Sequence, residues 1–368
     1  MKILYVSTIS NTVNAFLIPH IEMLIKEGHQ VDVAYKIEQE PQRVIREMGC
    51  SIYELDFSRS IVKNNYIKLI DEIKLLVKEN SYDIVHTHTP IASAIVRIAC
   101  RNLNQVKVIY TAHGFHFYKG APLKNWLLFY PAEIILSKYT DTLITINEED
   151  YKRAQKFNAK NTYYVPGIGI DLEKYVSKNN NDINLLRKKL NLKVRDFILF
   201  STGELNKNKN HEIVIRAISQ LNNPSIHYII AGQGPLKKYL NNLAIELKVD
   251  KQVHLLGYRD DIPKILSIAD VFVFPSIREG LSVSLMEAMA VGLPVITSNI
   301  RGNNDLIDHE YGGYLIDNQD VDEYVGKIVD CYQNESNIDL FGSYNQKKIL
   351  KYSIVNVIKL MKKIYKIK

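Results

Sequence analysis

The sequence predicts an α/β protein built from two doubly wound parallel sheets. Short runs rich in β-branched residues alternate with amphipathic stretches of helical period, which is typical of parallel α/β units. The alternation restarts near the middle of the chain, and its 368 residues are enough for two domains at roughly 150 residues each. We place the first domain at residues 1–165 and the second at residues 166–349.

Six strands are predicted in the first half: Lys2–Ser7, Gln30–Tyr35, Ser51–Leu55, Asp83–His86, Lys107–Thr111 and Thr142–Ile146. The helical segments between them are Ala15–Glu27, Tyr66–Glu79, Ile91–Asn102 and Lys124–Lys138. Five strands follow in the second half: Phe197–Ser201, His227–Ala231, Val253–Leu256, Val271–Phe274 and Pro294–Thr297. Ligands of such sheets bind beyond the carboxyl ends of the strands, so functional residues are expected in the loops at those ends.

The net charge of +7 comes from the C-terminal end of the chain. Gln346–Lys368 holds eight lysines and no acidic residue, so the other 345 residues carry 39 basic and 40 acidic side chains. A near-neutral body argues against a general nucleic-acid-binding protein. Apolar residues recur at helical spacing within the basic segment, which predicts a helix that either packs on the body or lies on an anionic membrane.

Cysteine spacing and the N-terminal residues indicate the cellular compartment. Cys50, Cys100 and Cys331 are too widely separated for a zinc or disulfide pattern. The apolar run Ile3–Val6 is too short for a secretory signal and fits a first strand. No stretch approaches the roughly eighteen apolar residues of a membrane-spanning helix. We therefore expect a cytoplasmic protein that associates peripherally with the inner face of the membrane.

The stretch Val271–Val295 is the most informative part of the sequence. A buried strand leads into a Pro-Ser pair and a loop, and a helix is expected to begin near Ser282 or Ser284, because serine is a favoured N-cap residue. Free amides at such a helix start suit a phosphate group.

Two glutamates, Glu279 and Glu287, lie in this stretch. On one continuous helix they would be about 12 Å apart along the axis, which does not suit a pair acting across one glycosidic bond. With Glu279 in the loop and Glu287 in the helix, they can instead hold opposite ends of an extended ligand. The alternative is that both are solvated surface charges.

The same stretch resembles the donor-site motif of glycosyltransferase family 4. The matching residues are Pro275, Ser276, Glu279, Gly280, Glu287, Ala288, Gly292, Pro294 and Val295. Further matches, in the family's order along nearly the whole chain, are Thr111–Gly114, Val165–Asp171, Phe200–His211, Ala231–Pro235 and Leu256–Asp260. The resemblance implies the GT-B architecture, in which an acceptor-side and a nucleotide-sugar-binding Rossmann-like domain face each other across a cleft. It also implies that the C-terminal helix, residues 350–368, crosses back to the first domain.

Family members transfer a sugar from a nucleotide sugar with retention of configuration, usually without a bound metal, and we expect no cofactor. The resemblance implies that His113 and Glu279 are the catalytic residues, with His113 facing the donor sugar and the acceptor. The usual proposal for the family is front-face attack, with a donor phosphate oxygen taking the acceptor proton. Glu279 is therefore not assigned as a covalent nucleophile.

The donor-binding residues implied by the resemblance are Gly203, Lys209, Leu281, Ser282 and Glu287. Lys209 matches the lysine that binds the diphosphate, whose growing charge needs fixed donors as it leaves. The amides of Leu281 and Ser282 would complete the cradle, and Glu287 would accept hydrogen bonds from the ribose hydroxyls.

The chain departs from the family pattern in two places. Glu204 stands where an arginine often gives the diphosphate a second cation, and Lys207 or Arg301 are the candidates to replace it. The first loop, after the first strand, lacks the family's paired glycines. Contacts there would come from the side chains of Asn11 and Thr12, or the loop would be a simple turn.

Four histidines, His86, His88, His113 and His116, follow or end predicted strands. Neutral imidazole is a common metal ligand, so a metal-dependent hydrolase is one alternative function. No acidic ligand is clustered with them, and the family's first-domain site accounts for the same positions. We therefore expect no metal, with His86, His116 and Lys119 as acceptor-side candidates, against the simpler alternative of ordinary strand-end and loop side chains.

The segment Phe115–Tyr130 combines aromatic residues with two lysines, Lys119 and Lys124. It resembles bacterial family members that assemble capsule, exopolysaccharide or O-antigen repeats on polyprenyl diphosphate. We expect a retaining hexosyl- or N-acetylhexosaminyltransferase that uses a nucleotide sugar, UDP-linked by preference, and a lipid-linked saccharide acceptor. Core packing is the favoured interpretation for Trp126, Phe129 and Tyr130.

Three other functions stay open at this point. A GT-B nucleotide-sugar epimerase would need no acceptor, and a metal-dependent hydrolase would use the histidine cluster. A non-catalytic sugar-nucleotide-binding subunit would bind the donor without turnover, and the acid at Glu204 favours it slightly.

Overall fold

The computed structural model describes residues 1–57, 66–175, 180–317 and 320–366. The chain divides into two compact units, one formed by Met1–Gly169 together with residues from Ile354 onward, the other by Ile170–Ser353. Both divisions fall four residues after the boundaries placed from the sequence. The first unit keeps Val165 in its core, and the second continues through Tyr352 because that ring is buried in its core.

The first unit is built around one parallel sheet. Its strands are β1 Lys2–Ile9, β2 Gln30–Lys36, β3 Ile52–Glu54, β4 Ile84–His88, β5 Lys107–Ala112, β6 Thr142–Thr145 and β7 Asn161–Tyr164. Its helices are α1 Ser10–Thr12, α2 Ile18–Lys26, α3 Arg43–Glu47, α4 Tyr66–Glu79, α5 Pro90–Cys100, α6 Leu123–Ser137 and α7 Glu148–Ala154, with a π-helical segment Val13–Leu17 between α1 and α2. The strand order β3-β2-β1-β4-β5-β6-β7 reverses direction at β1, so the sheet is doubly wound.

The second unit repeats this plan with six parallel strands. They are β8 Phe197–Thr202, β9 Ile226–Ala231, β10 Val253–Gly257, β11 Val271–Phe274, β12 Val295–Ser298 and β13 Gly313–Ile316. The helices are α8 Asn180–Lys189, α9 His211–Leu221, α10 Lys237–Glu246, α11 Ile262–Leu266, α12 Val283–Val291, α13 Asn303–Leu306, α14 Val321–Gln333 and α15 Glu335–Ile349, with 3-10 turns at Leu172–Tyr175 and Leu350–Tyr352. The order β10-β9-β8-β11-β12-β13 reverses between β8 and β11. Two doubly wound parallel sheets confirm the predicted fold class.

The central strands are buried on both faces, which explains their uninterrupted apolar runs. In β1, Ile3 and Tyr5 pack on the side of α2, whereas Leu4 and Val6 pack on the side of α4 and α5. Burying one such side chain contributes about 1.5–3 kcal/mol, so each sheet is held mainly by its two covered faces. This packing fixes the ends of the strands, so the residues that directly follow each strand are also held in place.

The first loop predicted from the sequence is not a loop in the structure. β1 runs on to Ile9 and α1 begins directly at Ser10, whose buried hydroxyl accepts hydrogen bonds from the backbone of Glu38 and Gln39 at 3.2 and 3.0 Å. No glycine interrupts the chain here, so it turns straight into a helix. Asn11 and Thr12 are consequently helix residues, exposed and half-buried respectively.

Two short edge strands, β7 and β13, escaped sequence-based prediction. Each has four residues and pairs with a single neighbour, β6 and β12 respectively. β7 is polar at its start and has no buried position, so it lacks the apolar pattern of the central strands. β13 places Tyr314 and Ile316 in the core, but it is short and begins with glycine, a residue depleted in strands.

The C-terminal helix, α16 Ile354–Tyr365, belongs to the first unit. Val357, Met361 and Tyr365 are buried in the core beside β1 and α2, and Lys362 forms an ion pair with Glu27. The apolar stripe of this helix is therefore used for packing. Residues 367 and 368 of the predicted helix, and part of the polar stretch between the domains, lie outside the described residues. Within the described ranges, no helix has both the length and the apolar character needed to cross a bilayer.

Candidate active site

In the second unit, a lysine and a glutamate meet beyond the carboxyl ends of β8 and β11. Lys209 Nζ lies 2.7 Å from Glu279 Oε1, and the two side chains are only 18% and 15% exposed. The ammonium also lies 4.4 Å from the centre of the Phe274 ring, a cation–π contact that helps to hold the lysine in place. The structure thus brings together two residues that the sequence assigned to the same site.

The loop that carries Lys209 is shaped by close backbone contacts. Gly203 has φ +151°, and a Cβ at this position would come within 3.0 Å of Lys209 Cε. At Gly232 a Cβ would come within 1.8 Å of the Gly203 carbonyl oxygen. These positions need glycine because the loop after β8 packs directly on the turn after β9. Lys209 N donates to Asn206 Oδ1 at 3.0 Å, which closes the loop ahead of the lysine.

The loop that carries Glu279 is anchored from two sides. Arg301 donates from Nε and one terminal nitrogen to the Glu279 carbonyl oxygen, at 3.1 and 3.0 Å. Asn208 Nδ2 donates to the Arg278 carbonyl oxygen at 3.0 Å, and Ile277 N donates to the Asn208 carbonyl oxygen at 2.8 Å. The buried Arg301 guanidinium therefore holds the loop's backbone. The sequence did not predict this role of Asn208, because its side chain and carbonyl oxygen bond only backbone groups of a loop about 70 residues further along the chain.

Helix α12 begins directly after this loop. Ser282 is its N-cap, and its hydroxyl accepts a hydrogen bond from Leu285 N at 3.3 Å, as one of the two predicted helix starts requires. Leu281 and Ser282 precede the first turn, where backbone amides are without partners inside the helix. The helix start, Glu279 and Lys209 thus belong to adjoining loops of one sheet edge.

Glu287 lies on α12 and is half-buried. Tyr175, from the 3-10 turn Leu172–Tyr175, donates its hydroxyl hydrogen to Glu287 Oε1 at 2.8 Å. Burial raises the pKa of the Glu287 carboxyl, and burial together with this carboxylate raises the pKa of Tyr175. Tyr175 went unpredicted because it lies 112 residues from its partner in the chain.

Glu204 and Lys207 lie at the rim of the same region. Both are exposed, and Glu204 Oε2 accepts a hydrogen bond from Asn206 Nδ2 at 2.8 Å. Glu204 therefore helps to order the loop before Lys209.

In the first unit, histidines from β4 and from just after β5 form a network in which His86 and His88 are buried and His113 is half-buried. His88 Nδ1 lies 3.1 Å from His113 Nε2, a hydrogen bond between the two rings. His86 Nε2 lies 2.8 Å from Thr111 Oγ1, and its Nδ1 is bonded to the Tyr365 hydroxyl of α16. Burial lowers the pKa of His86 and His88 well below 6.5 and that of His113 to about 4, so all three rings are neutral at pH 7.

Neutral imidazoles constrain one another's protonation. Each ring has one donor and one acceptor nitrogen, so the His88–His113 bond couples the tautomers of the two rings. Both ring nitrogens of His86 are engaged and the side chain is buried, which argues against a direct acceptor contact for this residue. In the described ranges, no group of three His, Cys, Asp or Glu side chains is arranged to hold a metal ion.

His116 and Lys119 lie on the segment between β5 and α6. His116 is half-buried, its ring centre is 4.7 Å from that of Phe129, and its carbonyl oxygen accepts from Asn125 Nδ2 at 2.9 Å. Lys119 is exposed, and its backbone N donates to Glu149 Oε1 at 2.7 Å. Of these two residues, Lys119 is exposed and His116 is half-buried.

Comparisons with known proteins bear on both units. A family model described as Glycosyl transferase 4-like matches residues 2–147, and one described as Glycosyl transferases group 1 matches residues 182–348. A putative glycosyltransferase, EpsD of Bacillus subtilis, is 35% identical over 99% of this chain and 96% of its own length. The UDP-Gal:alpha-D-GlcNAc-diphosphoundecaprenol alpha-1,3-galactosyltransferase of Escherichia coli is 34% identical over 84% of this chain and 79% of its own length.

A solved structure supports the fold. The crystal structure of Anabaena HepE in complex with UDP matches with a TM-score of 0.82 at 18% identity, over 100% of both chains. This likeness concerns the fold alone, and it agrees with the two Rossmann-like units of the GT-B architecture. The two family models and the two relatives above confirm the family resemblance and the enzyme class. The chain belongs to glycosyltransferase family 4.

Proposed function

We propose that this glycosyltransferase moves a hexosyl or N-acetylhexosaminyl group from a UDP-sugar, with retention, to a lipid-linked saccharide during synthesis of a bacterial surface polysaccharide. The observation that carries the proposal is the Lys209–Glu279 pair beside the start of α12. A cation, a carboxylate and a helix start, whose first amides have no partner inside the helix, lie at one sheet edge and suit a diphosphate joined to a sugar.

Lys209 and the helix start would stabilise the leaving diphosphate. As the bond between sugar and phosphate breaks, negative charge grows on the diphosphate, and fixed donors lower the free energy of that state most. A diphosphate at Lys209 would replace Glu279 as partner of the ammonium. The carboxylate of Glu279 would then be released to accept hydrogen bonds from the sugar hydroxyls. Binding of the donor would thereby assemble the sugar site.

Glu287 would bind the ribose of the nucleotide. A carboxylate can accept hydrogen bonds from both ribose hydroxyls, and the Tyr175 bond at 2.8 Å leaves one carboxylate oxygen for this purpose while fixing the other. Tyr175 therefore acts as a positioning residue in the proposal.

His113 would contact the sugar and the acceptor in its neutral form. Burial keeps the pKa of this ring at about 4, so it can hydrogen-bond a hydroxyl group without adding positive charge. His88 fixes its tautomer through the bond at 3.1 Å. No step in this scheme requires a metal or another cofactor.

The lipid-linked acceptor and the UDP donor are supported by the Escherichia coli relative, whose name gives UDP-Gal as donor and a GlcNAc-diphosphoundecaprenol as acceptor. The capsular polysaccharide glycosyltransferase CapM of Staphylococcus aureus, 25% identical over 95% of this chain, supports the same class of product. Such an acceptor resides in a membrane, so we propose that the enzyme works at its inner face.

The test is a thermal-unfolding screen with UDP-, GDP- and TDP-sugars, followed by turnover with the best donor. A donor at a hundredfold excess over its Kd stabilises the fold by about 2.7 kcal/mol. Lys209→Ala should abolish most of the shift produced by that donor and lower turnover at least a hundredfold. Lys238→Ala, an exposed lysine on α10, is the matched control and should change neither.

The possible outcomes separate the competing functions. Transfer only in the presence of a polyprenyl-diphosphate saccharide supports the proposal, whereas conversion of the donor to an isomer without acceptor would indicate an epimerase. Donor binding without turnover under every acceptor mixture would indicate a non-catalytic subunit. Full activity of Lys209→Ala would exclude the site as assigned.

A further inference from the structure

Helix α6, Leu123–Ser137, is apolar on two opposite sides. One side packs on the core around Phe117, using Trp126, Phe129, Tyr130 and Ile134. The other side is open to solvent: Leu123, Leu127, Leu128 and Ile135 are 73%, 71%, 66% and 56% exposed. The first side accounts for the stability of the helix, and the second needs another explanation.

The exposed side has an unusual composition. Its exposed positions are Leu123, Lys124, Leu127, Leu128, Pro131, Ala132, Ile135 and Lys138, the last being the C-cap. At about 100° per residue they cover roughly half of the helix circumference. This described stretch presents six apolar residues and two lysines to solvent, with a lysine near each end. Single exposed apolar residues are common on protein surfaces, but a contiguous apolar band marks an interaction surface.

The one acidic residue of α6 is withdrawn from this side. Glu133 is buried and accepts hydrogen bonds from two nitrogens of Arg97, at 2.8 and 3.1 Å. Arg97 is itself fully buried and stacks on the Tyr110 ring at 4.5 Å. The exposed side of α6 is therefore apolar and positively charged, which complements an anionic bilayer surface.

The dimensions of α6 indicate how it would meet a bilayer. Its 15 residues make a helix about 22 Å long, which is shorter than the roughly 30 Å hydrocarbon core. The Arg97–Glu133 ion pair lies on the buried side of the helix, and the same side packs on the core. The helix can lie in the headgroup region with its apolar side facing the hydrocarbon core, but it cannot span the bilayer.

A second copy of the chain is the competing occupant. A stable protein–protein interface needs about 800 Å² on each partner. A band about 22 Å long and about 10 Å wide offers roughly a quarter of that area. The leucines, the terminal lysines and the small area favour a lipid surface.

We propose that α6 is the surface by which this enzyme docks on an anionic membrane, with Leu127 and Leu128 inserted and Lys124 and Lys138 paired with headgroup phosphates. The proposal deepens the proposed function, because it names the element through which a lipid-linked acceptor is approached.

The position of α6 in the chain suits this role. Asn125 Nδ2 donates to the His116 carbonyl oxygen at 2.9 Å, and the His116 ring lies against Phe129. His113 precedes His116 by three residues on the same connection. A bilayer below α6 would present the diphosphate of a lipid-linked saccharide beside this segment.

Helix α16, for which the sequence left open packing on the body or contact with an anionic membrane, is less suited to insertion. Its stripe of Val357, Met361 and Tyr365 is buried in the core. Lys359 and Lys363 are exposed, so α16 can add electrostatic attraction to an anionic surface.

The single tryptophan of the chain, Trp126, lies on α6 and is a built-in probe for the test. Full-length protein is added to vesicles of phosphatidylglycerol mixed with phosphatidylcholine whose acyl chains are brominated, and quenching of Trp126 fluorescence is measured. We expect quenching with these vesicles and much less with pure phosphatidylcholine. The double variant Leu127→Gln/Leu128→Gln should bind about tenfold more weakly or worse, since two apolar side chains no longer enter the bilayer.

A matched control uses the same chemistry on another helix of the same unit. Ile67 and Leu75 on α4 are 74% and 55% exposed, and Ile67→Gln/Leu75→Gln should bind vesicles as the wild type does. Lys359→Gln/Lys363→Gln should weaken binding less than the α6 variant. Melting curves of all three variants, unchanged from wild type, show that the fold is intact.

Three results would overturn the proposal. They are full vesicle binding by the α6 variant, equal loss in the α4 variant, and a wild-type dimer by light scattering that the α6 substitutions convert to a monomer. The last result would assign the surface to self-association. Vesicle binding is measured without donor or acceptor, so its failure is distinct from a failure of the proposed transfer reaction.

Discussion

The candidate sites of the two units consist of different kinds of side chain. In the second unit, charged groups on adjoining loops form the Lys209–Glu279 pair, partly open to solvent. In the first unit, neutral histidine rings at strand ends are bonded to one another, as in the pair of buried His88 and half-buried His113. The charged site of the second unit suits binding of a charged diphosphate, and the neutral site of the first unit suits binding of an uncharged hydroxyl group. Substitutions that change charge should therefore act most strongly in the second unit, and those that change ring geometry in the first.

Of the substitutions that test this comparison, Glu279→Gln should lower turnover most. The amide keeps the shape of the side chain but removes the charge that pairs with Lys209 and that, in the proposed function, would face the donor sugar. We expect turnover to fall at least a hundredfold, about 3 kcal/mol in the barrier, with donor binding largely kept. Initial rates at saturating donor, beside isothermal titration of the donor, separate the two quantities.

The matched control for charge removal is Glu246→Gln, an exposed residue at the end of α10. It should leave both rate and affinity unchanged. If Glu279→Gln lost donor affinity and kept its rate, the carboxylate would serve in binding, and the assignment to the sugar-transfer step would be abandoned.

His88→Phe tests the network of the first unit. Phenylalanine fills the space but cannot bond His113 Nε2, so the tautomer of His113 is no longer fixed. Turnover should fall by about tenfold, less than the roughly hundredfold or greater loss expected when an acid–base group itself is removed, because the His113 ring is still present. Nitrogen-15 shifts of the His113 ring should change from one tautomer in the wild type to a mixture in the variant. A single tautomer in both proteins would remove His88 from the positioning role.

The two sites also differ in how far the sequence predicted them. The second-unit site rests on local motifs, so Lys209, Glu279 and the start of α12 at Ser282 could be identified from short patterns. The bond between Tyr175 and Glu287 could not, because it closes 112 residues of chain. Such contacts depend on how loops meet in space, which residue patterns do not encode.

The first-unit network was less predictable still. His86 and Tyr365 are 279 residues apart, and their bond forms only because α16 packs its apolar stripe on the first sheet. Charge counting identified the lysines of α16 but could not show that its apolar side is buried. Conversely, α6 has no helical alternation of apolar and polar residues, so the sequence favoured core packing for its aromatic residues and gave no sign that its leucines are exposed. The apolar side is buried in α16 and exposed in α6, and this difference cannot be read from the composition of the two helices.

Gly203→Ala tests the geometry of the second-unit loop with a smaller effect. The methyl group would lie 3.0 Å from Lys209 Cε, so the lysine stem must move, and φ +151° is costly for alanine. We expect about tenfold lower turnover and a loss of about 1–2 kcal/mol in the free energy of unfolding. Urea denaturation and initial rates measure the two effects.

Gly257→Ala is the control, because that glycine also has a positive φ, +73°, but no atom lies within 4 Å of the point that an alanine Cβ would occupy. It should lose about 1 kcal/mol of stability and keep full activity. Equal losses of activity in the two variants would mean that strain in the second sheet, rather than the position of Lys209, limits turnover.

Protonation of the buried histidines should have the smallest effect, with none near neutral pH. Burial lowers the pKa of His113 to about 4 in the folded chain, against about 6.5 when unfolded. The unfolded chain then binds more protons between these values, so this contribution to stability is present above pH 6.5 and is lost as the pH falls toward 4. Activity that depends on neutral His113 should stay flat from pH 8 to 6 and decline only in acid. An NMR titration of the His113 ring, assigned with His113→Asn, should show a midpoint near pH 4. A midpoint near 6.5 would mean that water reaches the ring, and the contrast between a charged and a neutral site would no longer hold.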